Sequence, residues 1–376
     1  MILPGETIGV LGGGQLGRMF CEAARTLGYQ TVVLDPDRDS PAGTVADQHI
    51  QADYRDESAL LEMGGQCAAV TVEFENVPAE SMRYLSRLCH VRPGPDALKI
   101  CRDRIREKTF LQDHDLPTAP FMTVVNENQL EGAVKAVGLP ALLKTATGGY
   151  DGKGQQLITE EAQLELAFTE LGHVPCVLER YLELSLELSV VLARSSDGIT
   201  RCYPVAENCH KGGILDTSVV PARISATLSM QATQLATKVA DHLEFIGVLA
   251  VEFFLVDGSL LINEIAPRPH NSGHFTLNAT VTSQFEQQVR MLCELPAGDT
   301  SLLSPVVMNN LLGDLWNDAP PPWERLLKHP EAKLHLYGKR EARPGRKMGH
   351  FNVLHPDIGR ALLISKEIRT ALGNAG

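Results

Sequence analysis

No two of the eight cysteines form a C-x-x-C pair: Cys21, Cys67, Cys89, Cys101, Cys176, Cys202, Cys209 and Cys293 are scattered singly. That pattern suggests neither a zinc knuckle nor a disulfide framework and fits a reducing compartment. No apolar run approaches the ~18 residues of a membrane span, so no membrane partner is expected. The opening residues Met1 to Glu6 lack a basic n-region. A secretory signal is therefore not expected, and the cytoplasm is the expected location. Positive charge is also short, with 34 Lys and Arg against 46 Asp and Glu, net −12. So acidic a chain lacks the overall footprint of a nucleic-acid binder. Any phosphate it holds must be met locally, by clustered cations, glycine-rich loops or metal ions.

What is present is ordinary globular composition, 44% hydrophobic and 21% charged, which excludes disordered and fibrous classes. A length of 376 residues allows two or three domains. Residues 1–100 read strand, glycine-rich turn, helix, strand, the βαβ pattern of an α/β fold with a parallel sheet. A charged helix is expected over 102–116, and Pro117 and Pro120 suggest a boundary. Strands dominate from Phe121 to Val205, with a helix near Glu160–Leu171. Leu182 to Val190 alternates leucine or valine with Glu183, Ser185, Glu187 and Ser189, an amphipathic strand of period two. A helix over Ser225–Leu243, with Met230, Leu235, Val239 and Leu243 on its apolar stripe, precedes a hairpin at Leu249–Ile265.

Five motifs can carry chemistry. Gly12-x-Gly14-x-x-Gly17 lies between strand and helix, with Asp35 18 residues on. It reads as a dinucleotide fingerprint or as a tight turn holding another phosphate or none. Lys144 ends a strand that enters Gly148-Gly149-Tyr150-Asp151-Gly152-Lys153-Gly154, a loop able to lay amides over phosphate or simply a long hairpin. If Gly258 centres the next hairpin, residues summing to 516 pair, and Glu252 faces Glu264 with Phe254 and Ile262 beside them. Like charges so placed destabilise a sheet unless neutralised, and a magnesium ion would neutralise them. His270 and His274 have zinc-like spacing, but Pro269 and Gly273 make a helix improbable, so zinc is rejected and a polar, anion-suited loop remains. Lys339, Arg340, Arg343, Arg346 and Lys347, five cations in nine residues, form a local anion site or a solvated hairpin tip.

In this order, residues 12–19, 148–155, the Glu252/Glu264 pair, 263–274 and 343–350 resemble the ATP-grasp ligases. Within them they resemble the branch that carboxylates 5-aminoimidazole ribonucleotide in purine biosynthesis. The resemblance spans nearly the whole chain. It implies an ATP-grasp fold with an N-terminal Rossmann-like domain (1–103), an ATP-grasp domain (104–298, lid about 118–190) and a small C-terminal domain (299–376). It implies ATP, Mg²⁺, bicarbonate, carboxyphosphate and a homodimer. By resemblance, Arg104 and Lys144 touch ATP phosphates, Gly149 to Gln155 (with Gly152, Lys153 and Gly154) cover them, and Glu179, Arg180, Tyr181 and Leu182 hold adenine. Glu187 takes the ribose, His210 and Asn263 line the nucleotide site, and Glu252 and Glu264 bind Mg²⁺. Tyr150, Asp151, Arg268, His270, Asn271 and Ser272 surround the aminoimidazole and bicarbonate, with Asp151 as base. Lys339 and Arg346, with the backbone near Gln15 and Leu16, take the ribonucleotide phosphate; Glu73 is a further substrate contact. The competing readings are a formate-dependent ligase acting on glycinamide ribonucleotide, an NAD-dependent oxidoreductase, and a non-catalytic nucleotide-binding protein.

Overall fold

In the computed structural model, which describes residues 1–149, 152–316 and 319–373, the N-terminal strands form a five-stranded parallel sheet. Its order is Gln48–Ile50, Gln30–Leu34, Thr7–Leu11, Ala69–Val72, His90–Val91. Ile8, Val10 and Leu11 are fully buried, as expected where both faces of a parallel sheet are covered. The chain then turns sharply into helix Gln15–Thr26. A Cβ on Gly14 would collide with the Glu73 carboxylate, so no side chain fits there. Phe20 and Ala24 of this helix share an apolar cluster with Val289 and Leu292 of helix Gln284–Leu292, which ties the parallel sheet to the middle of the chain.

A four-stranded antiparallel sheet follows, ordered Phe121–Val124, Cys176–Arg180, Ala141–Thr145, Gln155–Ile158. Helices Leu130–Val137 and Leu164–Glu170 pack on it through Val134, Phe168, Leu143 and Leu178. Lys144 therefore stands in a sheet strand, immediately before the glycine-rich loop.

The third sheet is antiparallel and nine-stranded. It begins with Ser259–Ala266, Gly247–Val256 and Leu186–Arg194, continues through Ala206–Lys211 and Ile214–Val220, and ends with Val306–Leu312, Lys347–Leu354 and Ala332–Leu336, while Thr200–Cys202 pairs beside the end of Leu186–Arg194. The C-terminal strands thus extend the sheet that carries the carboxylate hairpin. Helix Ala226–His242 is capped by Ser225, whose side chain accepts from the Leu228 amide at 3.2 Å. Its buried stripe is Ala232, Ala236, Val239 and Ala240, and Met230 is exposed, contrary to the expected stripe. Small residues let the helix lie close to the sheet, so the larger Met230 is turned to solvent. The expected strand from Leu182 starts only at Leu186, and beyond it both faces are covered, so burial there does not alternate.

The hairpin departs from the expected register near its tip. Asp257 and Gly258 both have positive φ, +48° and +78°, and form a two-residue turn. Val256 therefore pairs with Ser259 and Phe253 with Ile262; a bulge then skips Asn263 and restores Glu252 opposite Glu264. Ile262 goes into the core with Phe253 rather than beside the carboxylates.

Candidate active site

All three sheets border one cavity of about 820 Å³. The parallel-sheet part contributes Gln15, Leu16, Glu73, Phe74 and Glu75; the glycine-rich loop and its strands contribute Lys144, Gly149, Gly152, Lys153 and Gln155. From the large sheet come Glu187, His210, Glu252, Asn263, Glu264, Arg268, His270 and Asn271, and from the C-terminal segment Lys339, Arg343, Arg346 and Lys347. Arg104 opens onto it from a helix start. Tyr150 and Asp151 lie outside the described residues. Arg340 turns away to pair with Asp39 at 2.6 Å.

Each facing carboxylate has a partner of its own. Glu252 Oε1 lies 2.9 Å from His270 Nε2, and Glu264 Oε2 lies 3.4 Å from Arg104 Nη1. Burial raises the pKa of Glu252, but the His270 contact, with His210 and Lys347 nearby, outweighs it and holds the carboxylate ionised. The His270 ring is oriented by a relay. Asn208 donates to Ser189 Oγ (2.9 Å), which donates to Ser272 Oγ (2.7 Å), which lies 2.8 Å from His270 Nδ1. The Ser272 amide also donates to Nδ1 at 3.3 Å, which leaves the Nε2 proton to face Glu252. Ser272 is thus buried behind the histidine and does not line the cavity. The loop itself is pinned by Gln284, which accepts from the His270 amide and donates to its carbonyl. His274 points the other way, its Nδ1 against Gln284, so the two histidines do not converge.

His210 pairs with Glu187 across adjacent strands. Burial opposes its charge, but the Glu187 hydrogen bond and the Glu252 field prevail and raise its pKa. Lys144 donates to Glu179 at 3.0 Å, and the fully buried Lys108 stands 3.7 Å from the same carboxylate. Burial pushes Glu179 up, yet Lys108 and Lys144 hold it down at about 2. Its side chain is therefore engaged in the core. Arg180 donates to the Val137 carbonyl, and Glu179 to Leu182 do not belong to the cavity wall. Adenine recognition there would fall to backbone groups. Leu142, Leu184 and Phe254 supply apolar wall; Phe254 was expected beside the carboxylates and Leu184 fell in the alternating pattern, while Leu142 had no signal as a site residue.

The glycine-rich turn is occupied by the protein's own side chains, which agrees with the reading of a tight turn and goes against the dinucleotide one. Glu73 itself fills the nest, accepting from the Gly14 and Leu16 amides, the latter at 3.0 Å. Asp35 accepts from the Gly13 amide (2.7 Å) and Tyr54 Oη (2.6 Å). Neither the amides nor the acid of a dinucleotide site are available, which removes the NAD reading. The Leu16 amide is likewise taken, so a ribonucleotide phosphate must be met mainly by side chains. Arg346 lies within reach from the cavity wall, its Nη1 also held by the Glu341 carbonyl at 2.9 Å, and Lys339 donates to the Lys347 carbonyl at 2.7 Å. Arg268 is pinned by Glu75, 2.6 Å from its Nε, a contact that sequence reading missed although Glu75 lies two residues from Glu73.

Hard oxygen donors on one wall, cations on the others and a glycine-rich flap suit Mg²⁺ and a polyphosphate. No group of three or more His, Cys, Asp or Glu converges as a metal cage among the described residues. Mg²⁺ needs no such cage, since it takes one or two carboxylates and completes its shell with phosphate and water. A nucleotide cleft between a small flap sheet and a large antiparallel sheet is the architecture of an ATP-grasp ligase. Family models agree: the ATP-grasp domain matches residues 109–285, the ribonucleotide synthetase preATP-grasp domain 5–102, and the phosphoribosylaminoimidazole carboxylase C-terminal domain 306–362. N5-carboxyaminoimidazole ribonucleotide synthase of Bacillus subtilis (strain 168) is 46% identical, the match covering 94% of this chain and 93% of that protein. The Brucella melitensis enzyme of the same name is 45% identical over 94% and 97%. An N5-carboxyaminoimidazole ribonucleotide synthetase solved as its ADP complex superimposes with a TM-score of 0.93 at 44% identity, covering 98% of this chain and 97% of that one. The Aspergillus clavatus enzyme, solved with ADP and 5-aminoimidazole ribonucleotide, gives 0.90 at 30%, covering 98% of each. The chain belongs to the N5-carboxyaminoimidazole ribonucleotide synthase family.

Proposed function

We infer that the protein joins bicarbonate to the exocyclic amine of 5-aminoimidazole ribonucleotide at the expense of ATP, releasing ADP and phosphate. One observation carries this: a single cavity is lined together by the glycine-rich flap, the paired carboxylates, Arg268 and His270, and the cations Lys339, Arg343, Arg346 and Lys347. That is room for a nucleoside triphosphate and a second, monophosphorylated molecule meeting at a cationic centre.

Phosphoryl transfer needs positioning and charge neutralisation more than a strong nucleophile. Arg104, Lys144 and Lys153 are assigned to the ATP phosphates, Glu187 to the ribose, and His210 and Asn263 to the nucleotide wall. Glu252 and Glu264 would hold Mg²⁺, which supplies charge neutralisation between the phosphates when bound. Arg268, fixed by Glu75, orients bicarbonate for attack on the γ-phosphorus. The carboxyphosphate so formed breaks down to phosphate and CO₂, and the amine takes the CO₂. His270, its Nε2 proton directed at Glu252, orients that carboxylate beside the bicarbonate, and Asp151 is assigned as acceptor of the amine proton. Lys339, Arg346 and the Gln15–Leu16 turn receive the ribonucleotide, with Glu73 beside it and Asn271 lining the same wall. The division into 1–103, 104–298 with a lid at about 118–190, and 299–376 belongs to the same proposal, as do a cytoplasmic location and a homodimer of twice the 41.0 kDa chain mass. ADP release with 5-aminoimidazole ribonucleotide should require bicarbonate. Release supported equally by formate and glycinamide ribonucleotide would overturn the assignment.

A further inference from the structure

Helix Arg104–Asp113 presents three charged residues at i, i+3 and i+4, hence on one face: Arg104, Glu107 and Lys108. Each reaches a different one of three consecutive residues in the carboxylate strand. Lys108 Nζ donates to the Asn263 carbonyl at 2.9 Å. Arg104 Nη1 lies 3.4 Å from the Glu264 carboxylate. Glu107 Oε2 accepts from the Ile265 amide at 3.0 Å. The residue before them is held from the same side, since the Ile262 amide donates to the Pro117 carbonyl at 2.7 Å and Thr118 Oγ1 donates to the Ile262 carbonyl at 2.9 Å. Lys108 ties the two sets together by donating to Thr118 Oγ1 at 3.0 Å.

These contacts fall at the bulge, where Asn263 has no partner across the hairpin. A bulge frees backbone groups and changes where the next side chain points. Here the next side chain is Glu264, brought opposite Glu252 only because the bulge is present. Lys108 and Glu107 are 0% and 1% exposed. Burying such charges contributes little to stability compared with apolar residues of the same size. Their value lies in fixing one geometry.

We propose that Glu107 and Lys108 are positioning residues that clamp the bulged strand on either side of Glu264 and so set its carboxylate for the metal–nucleotide complex. The proposal rests on the reading of Glu264 as a Mg²⁺ ligand, and the test separates the two.

The full-length protein is compared with Glu107→Leu, Lys108→Met, Glu107→Gln and Glu264→Gln. Hydrogen exchange of a peptide spanning residues 262–266, measured without nucleotide or metal, reads the clamp alone. Mn²⁺ affinity of the ADP complex, followed by electron paramagnetic resonance, reads its consequence. Glu107→Leu and Lys108→Met should lose protection in that peptide and weaken Mn²⁺ about ten- to a hundred-fold, the range for residues that orient metal ligands. Their ADP affinity without metal should stay within a few-fold. Glu107→Gln keeps an acceptor oxygen for the Ile265 amide and should keep most of the protection and Mn²⁺ affinity. If Lys108→Met does not fold, the Glu107 pair decides the matter. Unchanged protection in Glu107→Leu, or lost protection with unchanged Mn²⁺ affinity, would overturn the clamp. Wild-type Mn²⁺ affinity in Glu264→Gln would overturn the metal reading and the proposal with it, while the exchange data would still show whether the strand is clamped.

Discussion

At the scale of single residues, the site works by giving each buried charge a partner and leaving one side of that pair open. Glu264 has Arg104 behind it and Glu252 has His270, so each carboxylate is oriented without wholly consuming its oxygens. Glu264→Gln should keep the fold and lower turnover by at least about a hundred-fold, because several kcal/mol of charge stabilisation depend on metal placement. ADP release at saturating Mg²⁺ checks it; wild-type turnover would contradict the role. Two other histidines lie wholly in the core. His274 and His350 are fully buried, and burial depresses both pKa values well below 6.5. They fold neutral, whereas the unfolded chain protonates near 6.5. Their contribution is therefore fully present above that pH and is lost as pH falls below it, by up to about 1.4 kcal/mol per pH unit each. Urea midpoints at pH 7.5 and 5.5 should show the fall, and His350→Gln should flatten it. An equal slope in that variant would assign the acid sensitivity elsewhere.

At the scale of elements, the glycine-rich loop and the carboxylate hairpin show how much the sequence discloses. Gly154 has φ +73°, and a Cβ there would meet Thr145 Oγ1 at 2.8 Å. Gly154→Ala is expected to cost about 1 kcal/mol or more in the loop. It should raise KM for ATP about fivefold or more with little change in melting temperature. Steady-state kinetics beside a thermal melt separates these, and an unchanged KM would remove this end of the loop from the nucleotide site. The loop was legible because four glycines between strands have few other uses. The Glu252–Glu264 pairing was legible too, but by a route that the chain does not take. A count outward from Gly258 reaches the right pair, while the actual two-residue turn is offset by the bulge at Asn263. A bulge has no composition signal; it is held by Glu107 and Lys108, about 155 residues away in sequence. The filling of the glycine-rich turn was hidden for the same reason. Its local pattern fits a phosphate, and the carboxylate that fills it arrives from Glu73.

At the scale of the molecule, the cavity wall is assembled from parts of the chain that only the fold brings together. The large sheet runs unbroken from the Glu264 strand to the strands around the C-terminal cations. Arg346→Ala should raise KM for 5-aminoimidazole ribonucleotide about ten- to a hundred-fold, the worth of a charged hydrogen bond to phosphate, and leave KM for ATP within a few-fold. Varying one substrate at a time decides; the reverse pattern would move the cluster to the nucleotide site. The central claim is that the γ-phosphoryl group passes to bicarbonate before carbon reaches the amine. Turnover with ¹⁸O-labelled bicarbonate, read by mass spectrometry of both products, tests it directly. The account predicts one ¹⁸O in the released phosphate and two in the new carboxylate of the ribonucleotide. Phosphate free of label, with ADP still formed, would contradict it.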